Sequence, residues 1–142
     1  MTQFSFEKFL NSSPEKVFDI ATDYQNYQKH FPQIFPSVRV LSTRNDVSVV
    51  EEHMMLGEKE LVMMTKHVVQ KPNTHEVFVI GGNAKGSYIL ESFEGVHNGT
   101  KMQIDVDLKL KGGMRISGML GKNKIKNDYS RIVDEFVKVV EI

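Results

Sequence analysis

The chain has 142 residues, 40% of them hydrophobic and 25% charged, so it can bury a core and is not a disordered polymer. Its 18 basic and 18 acidic side chains cancel, which disfavours DNA or another polyanion as the main partner. With no cysteine, disulfides, thiolate metal sites and cysteine nucleophiles are all excluded.

No signal peptide is visible in MTQFSFEKFLNSSPEK, and no apolar stretch approaches the roughly 20 residues that span a bilayer, so the expectation is a cytoplasmic protein. The absence of linkers, repeats and low-complexity runs predicts one domain over residues 1–142. Thr2 to Leu10 reads as a strand with Phe4, Phe6 and Leu10 on one face. In NSSPEKVFDIATD, Ser12 or Ser13 caps, Pro14 suits the first helical position, and Val17, Ile20 and Ala21 form an apolar face. A second short helix over Asp23 to His30 stops before Pro32.

From Phe35 to Lys111 the pattern is strand. SVRVLS, VSVVEEHMML, KELVMMTKHVVQ, HEVFVIG, GSYILESFEGV and TKMQIDVDLKLK are separated by short turn sequences, which implies an antiparallel meander. In the last of them Met102, Ile104, Val106, Leu108 and Leu110 alternate with polar residues, so one face is buried and the other wet. After Gly112-Gly113 the period becomes helical: Ile125, Tyr129, Ile132, Val133, Phe136 and Val140 form one stripe of a helix from Lys122, about 20 residues and roughly 30 Å long. Seven strands with one apolar face and a single long helix to cover it make an α+β fold: a twisted, curling sheet whose concavity one helix cannot fill.

That element order resembles the helix-grip fold of the SRPBCC superfamily, which includes START-like lipid-binding domains, the birch pollen allergen family and polyketide cyclase/dehydrase-like proteins. The local stretch SSPEKVFDIATDYQNYQKHFPQIFPSVRVL is similar to the coenzyme Q-binding START-like branch, in which a capped helix leads into an Asp-x-x-x-Tyr-x-x-Phe-x-Pro-like run. Here those positions fall at Asp23, Tyr27, Phe31 and Pro32, with the spacing after Tyr27 one residue longer. The resemblance implies a seven-stranded curved antiparallel sheet, two short helices after the first strand and a cavity under the long C-terminal helix. Tyr24, Tyr27, Phe31 and Phe35 are then expected to wall that cavity, or alternatively to plug the end of the core.

Candidate chemistry is sparse. No two of His30, His53, His67, His75 and His97 stand at i, i+4 on a helix or i, i+2 on a strand, so neither a metal nor any other cofactor is called for. They read as single solvated or hydrogen-bonded histidines, His67 alone sharing the parity of Leu61, Met63, Thr65 and Val69. GGNAKGS lacks the lysine and the following helix of a phosphate loop and reads as a hairpin turn. Asp105 and Asp107 share a face with Lys101, Gln103, Lys109 and Lys111 and are expected in solvent. Glu51 and Glu52 point to opposite faces, so one faces inward, and Glu91 shares a face with Ile89 and Phe93. Met54, Met55, Met63 and Met64 suit either an adaptable cavity or an irregular core. Lys109 to Arg131 is rich in base, with Met114, Ile116, Met119 and Leu120 interleaved, and reads as a basic-apolar flap.

The expected function is binding of a hydrophobic, lipid- or isoprenoid-like small molecule, with transport or chaperoning as its purpose. The candidate ligand-binding residues are Tyr27, Phe31, Phe35, Met63, His67, Glu91, Ile104, Val106, Leu108, Tyr129, Ile132 and Phe136. A cyclase or dehydratase working in the same cavity would need Glu91, Glu52 or His67 inside. A third reading is an interaction module with a filled core, contacting a ribosome or a protein. The basic flap allows peripheral contact with an anionic membrane.

Overall fold

The computed structural model describes residues 2–111 and 118–141. The expected flap falls largely in the gap: Met114, Arg115 and Ile116 lie outside the described residues, as do the side chains of Met119 and Leu120. The elements run β1 (Thr2–Leu10), α1 (Pro14–Ala21), a 3-10 turn (Tyr24–Asn26), α2 (Tyr27–His30), β2 (Ser37–Arg44), β3 (Val47–Leu56), β4 (Lys59–Gln70), β5 (Thr74–Gly82), β6 (Tyr88–Val96), β7 (Gly99–Leu108) and α3 (Gly118–Val140).

The caps act as their residue types dictate. Ser13 in extended geometry accepts the Lys16 N–H at 3.3 Å, and Pro14 follows at the first helical position, so α1 starts there. The final helix is 23 residues long and starts at Gly118, earlier than Lys122, because neither Gly118 nor Gly121 breaks it; a glycine costs a helix only about 1 kcal/mol relative to alanine.

All seven strands form one antiparallel sheet in the order β1-β7-β6-β5-β4-β3-β2, the helix-grip arrangement. The strict alternation of β3 and β7 buries one face: Val50, Glu52, Met54 and Leu56 on β3, and Met102, Ile104, Val106 and Leu108 on β7. Of the methionines, Met54 and Met63 point to this inner face, whereas Met55 and Met64 are only half-buried on the other. Helix α3 lays Ile125, Tyr129, Val133 and Val140 onto that face.

Two close approaches place α3 on the sheet. Near its C-terminal end the Asn11 N–H donates to the Glu141 carboxylate at 3.0 Å. Near its middle the β3–β4 turn carries Gly57 in left-handed geometry (φ 63°), and a Cβ there would stand 2.5 Å from an Asp128 carboxylate oxygen. Asp128 is itself buried and binds Lys124 at 3.1 Å and Arg131 at 2.8 Å, so two bases of the expected flap already have a partner.

The outer face of β7 is less wet than its sequence suggests. Asp105 accepts from the Ser5 hydroxyl at 2.6 Å and from Gln103 at 3.2 Å, and Asp107 keeps one buried oxygen without a partner. Strand β1, paired to β7 from Thr2↔Leu108 to Leu10↔Thr100, supplies the cover.

Candidate functional site

Between the sheet and α3 lie two hollows of about 80 Å³ and about 70 Å³. Tyr27, Phe35, Met54, Glu91 and Tyr129 border both. The first, under α3, adds Phe31, Ile104, Ile132 and Phe136; the second, over the middle strands, adds Glu52, Met63, His67, His75 and Leu108. Each is smaller than the about 150 Å³ in which an engineered apolar cavity holds benzene, and together they reach that size. The concavity is therefore neither solid nor large.

The aromatic stretch after α1 explains the modest volume. Tyr24, Tyr27, Phe31 and Phe35 are all buried. Tyr27 and Phe35 rings sit 4.7 Å apart, and Phe31 reaches α3 by stacking on Phe136 at 6.1 Å. These rings wall the first hollow and fill the space beside it. Tyr24 is the exception, packing over His67 at 4.2 Å and His75 at 5.8 Å.

The floor of the second hollow carries a continuous polar chain across four neighbouring strands. The antiparallel register sets His75 on β5 directly opposite Glu91 on β6, and His67 on β4 one diagonal step from His75, whose direct partner is Val69. Glu52 on β3 faces Met63, one step from Thr65. The side chains then link end to end. The His67 Nε2 lies 3.0 Å from Glu52 Oε2, His67 Nδ1 lies 2.8 Å from His75 Nε2, and His75 Nδ1 lies 2.6 Å from Glu91 Oε1. The Thr65 hydroxyl donates to Glu52 at 2.7 Å. Glu52, Thr65, His67 and His75 are buried, and the Glu91 side chain is 22% exposed.

With one proton in each of the three links, the two carboxylates and two imidazoles would carry a net charge of −1. Burial holds the His67 imidazole below its ordinary value of 6.5, an effect opposed by the hydrogen bond and charge of Glu52. Burial, reinforced by Glu91 and Glu52, drives the Tyr24, Tyr27 and Tyr129 hydroxyls upward, so they remain donors at neutral pH. Tyr27 donates to the Ala21 carbonyl. Among the described residues, the Tyr129 hydroxyl makes no hydrogen bond.

A pH dependence follows from His67. Its folded-state value lies below the unfolded 6.5, so its contribution to stability is complete above pH 6.5 and is lost as pH falls toward the folded-state value. The melting temperature is expected to drop between pH 7.5 and pH 5.5, and to drop less in His67→Gln. Equal slopes in the two proteins would show that His67 does not carry the effect.

Most of the expected site residues border a hollow. Val106 does not: it is buried in the core, flanked across the sheet by its register partners Phe4 of β1 and Ile89 of β6. Thr65, His75 and Ser87 are polar members that sequence reasoning leaves out of the site, and Glu52 enters it only under the cyclase or dehydratase reading. His75 is no solitary histidine; its parity with Val77 and Val79 is the signal that turns it inward beside His67. Among the described residues no group of His, Asp and Glu side chains is arranged to hold a metal ion, and no helix is long and apolar enough to cross a membrane.

A family model described as polyketide cyclase / dehydrase and lipid transport matches residues 10–137. No curated protein sequence matches the chain. Among solved structures, a protein from Thermus thermophilus superposes with a TM-score of 0.81 at 16% identity, over 98% of this chain and 94% of its own. A START superfamily protein from Mycobacterium smegmatis gives 0.79 at 17% identity, over 99% and 95%. The Zhui aromatase/cyclase from a Streptomyces species gives 0.75 at 9% identity, over 97% and 90%. At these identities the likeness is one of fold.

Proposed function

The chain belongs to the polyketide cyclase / dehydrase and lipid transport family, and on that premise we propose that it binds a hydrophobic small molecule between the sheet and α3, as one domain over residues 1–142. The observation that carries this reading is the first hollow, where Phe31, Ile34, Phe35, Ile104, Ile132 and Phe136 present apolar surface and Glu91 stands as the single charged side chain. Binding is driven by removing ligand surface from water, worth about 25 cal/mol per Å². Orientation comes from Glu91 and Tyr129.

The two hollows joined have the volume that takes one six-membered ring. A longer lipid- or isoprenoid-like chain, or a ligand of the coenzyme Q type, would require Phe31, Phe35 and Phe136 to swing aside. Contact with an anionic membrane during ligand exchange would fall to Lys109, Lys111, Lys122 and Lys126, since Lys124 and Arg131 are engaged by Asp128.

The buried Glu52 and His67 favour a second reading, acid–base chemistry on a bound ligand of the polyketide type. Proton transfer is the step this reading needs from them. Both readings need an accessible hollow. Ile132→Trp, placed on its α3 wall, is expected to abolish uptake of an apolar fluorescent probe in a protein that still folds, and Phe136→Ala to increase it. Unchanged uptake in both variants would remove the hollow as the binding site.

A further inference from the structure

The two hollows share an electrostatic feature that selects among hydrophobic ligands. Among the described residues neither is bordered by a lysine or an arginine, while Glu52 and Glu91 belong to their walls. With one proton in each link, the chain of Glu52, His67, His75 and Glu91 carries one net negative charge. One Glu91 oxygen is taken by His75 Nδ1; the carboxylate lines both hollows and its side chain is only partly covered. The rings of Tyr27, Phe31, Phe35, Tyr129 and Phe136 line the same hollow.

A carboxylate in a hollow lined by aromatic side chains is the chemistry that recognises an organic ammonium group: the charge pairs with the carboxylate, and ring quadrupoles attract the cation. The same surroundings reject an anion, which would meet a carboxylate with no lysine or arginine among the described residues to offset it. We propose that the ligand of this site is a small aromatic or alicyclic amine, bound as its ammonium ion against Glu91 and hydrogen-bonded near Tyr129, and that carboxylate- and phosphate-bearing lipids are excluded. This rests on the reading of the hollow as a hydrophobic ligand site and narrows its ligand class. The charge count supplies the driving force: an ammonium ion brings the buried cluster to neutrality.

The test uses four molecules of nearly one shape on the intact protein: toluene, benzyl alcohol, benzylamine and benzoate, titrated at pH 7 and followed by backbone and methyl chemical shifts. Benzylamine is expected to bind about tenfold or more tightly than toluene, the gain of one charge-assisted hydrogen bond. Benzyl alcohol should fall between them, and benzoate should not bind. In Glu91→Gln the ratio of benzylamine to toluene affinity should fall to about one. Toluene binding as well as benzylamine, or benzoate binding at all, overturns the amine assignment and leaves the hollow standing. Failure of all four removes the hollow as a ligand site and the amine with it. Because the ranking is read on the unaltered protein, a poorly folded variant does not blunt the test.

Discussion

Glu52→Ala is expected to lower folding stability by about 3 kcal/mol, the upper end of what leaving buried polar groups short of a hydrogen-bond partner costs. Glu52 is 4% exposed, and its Oε2 accepts from the Thr65 hydroxyl and lies 3.0 Å from His67 Nε2. Without it, His67 Nε2 falls back on the Thr65 oxygen at 2.9 Å and the Thr65 hydroxyl on the Val50 carbonyl at 3.2 Å, in a place water reaches poorly. The loss is a large fraction of a domain stability of about 5–15 kcal/mol. Glu52→Gln keeps the shape and one acceptor oxygen, so its loss should be smaller. Urea unfolding of the three proteins measures the order, and a cost under about 1 kcal/mol for Glu52→Ala would mean that the chain of groups is not held together as described.

Phe35→Ala should have an effect of similar size with the opposite consequence for binding. Phe35 is 9% exposed, borders both hollows and packs on Tyr27 at 4.7 Å. Truncating a buried phenylalanine costs about 3–5 kcal/mol through lost transfer energy and the cavity left behind. Here that cavity joins two existing ones, so the variant should accept two-ring ligands such as naphthalene that the parent protein takes weakly. Binding then offsets part of the loss, by about 2.7 kcal/mol at a hundredfold excess over Kd. Thermal unfolding with and without naphthalene reads both effects. A variant that loses stability without gaining a two-ring ligand would show that the aromatic wall collapses into the space instead of leaving it open.

These two predictions rest on features of different legibility. The strands were readable because period-two alternation is a local property: β3, β4 and β7 each bury every second side chain, and their turns are marked by Asn45-Asp46, Gly57-Glu58 and His97-Asn98-Gly99. The start of α1 was readable for the same reason, since Ser13 and Pro14 act within one turn. The start of α3 was not. Glycine at 118 and 121 lowers local propensity, yet the helix extends over both.

Glu52 and Glu91 could each be assigned a face from parity once the sheet was inferred, but not each other as neighbours. Their link through His67 and His75 needs three strand registers at once, and a slip of one residue in any of them would turn a member outward. His75 was passed over because its partner lies eight residues away, across a hairpin, at no helix or strand spacing. What the amino-acid order determined alone was therefore the list of elements, their buried faces and the family of folds they build. The pairing of histidines, the removal of Val106 from the cavity wall and the small size of the hollow were decided only by the tertiary structure. Register is a relation between distant segments, and a cavity is the small difference between a curved sheet's concavity and the side chains that enter it.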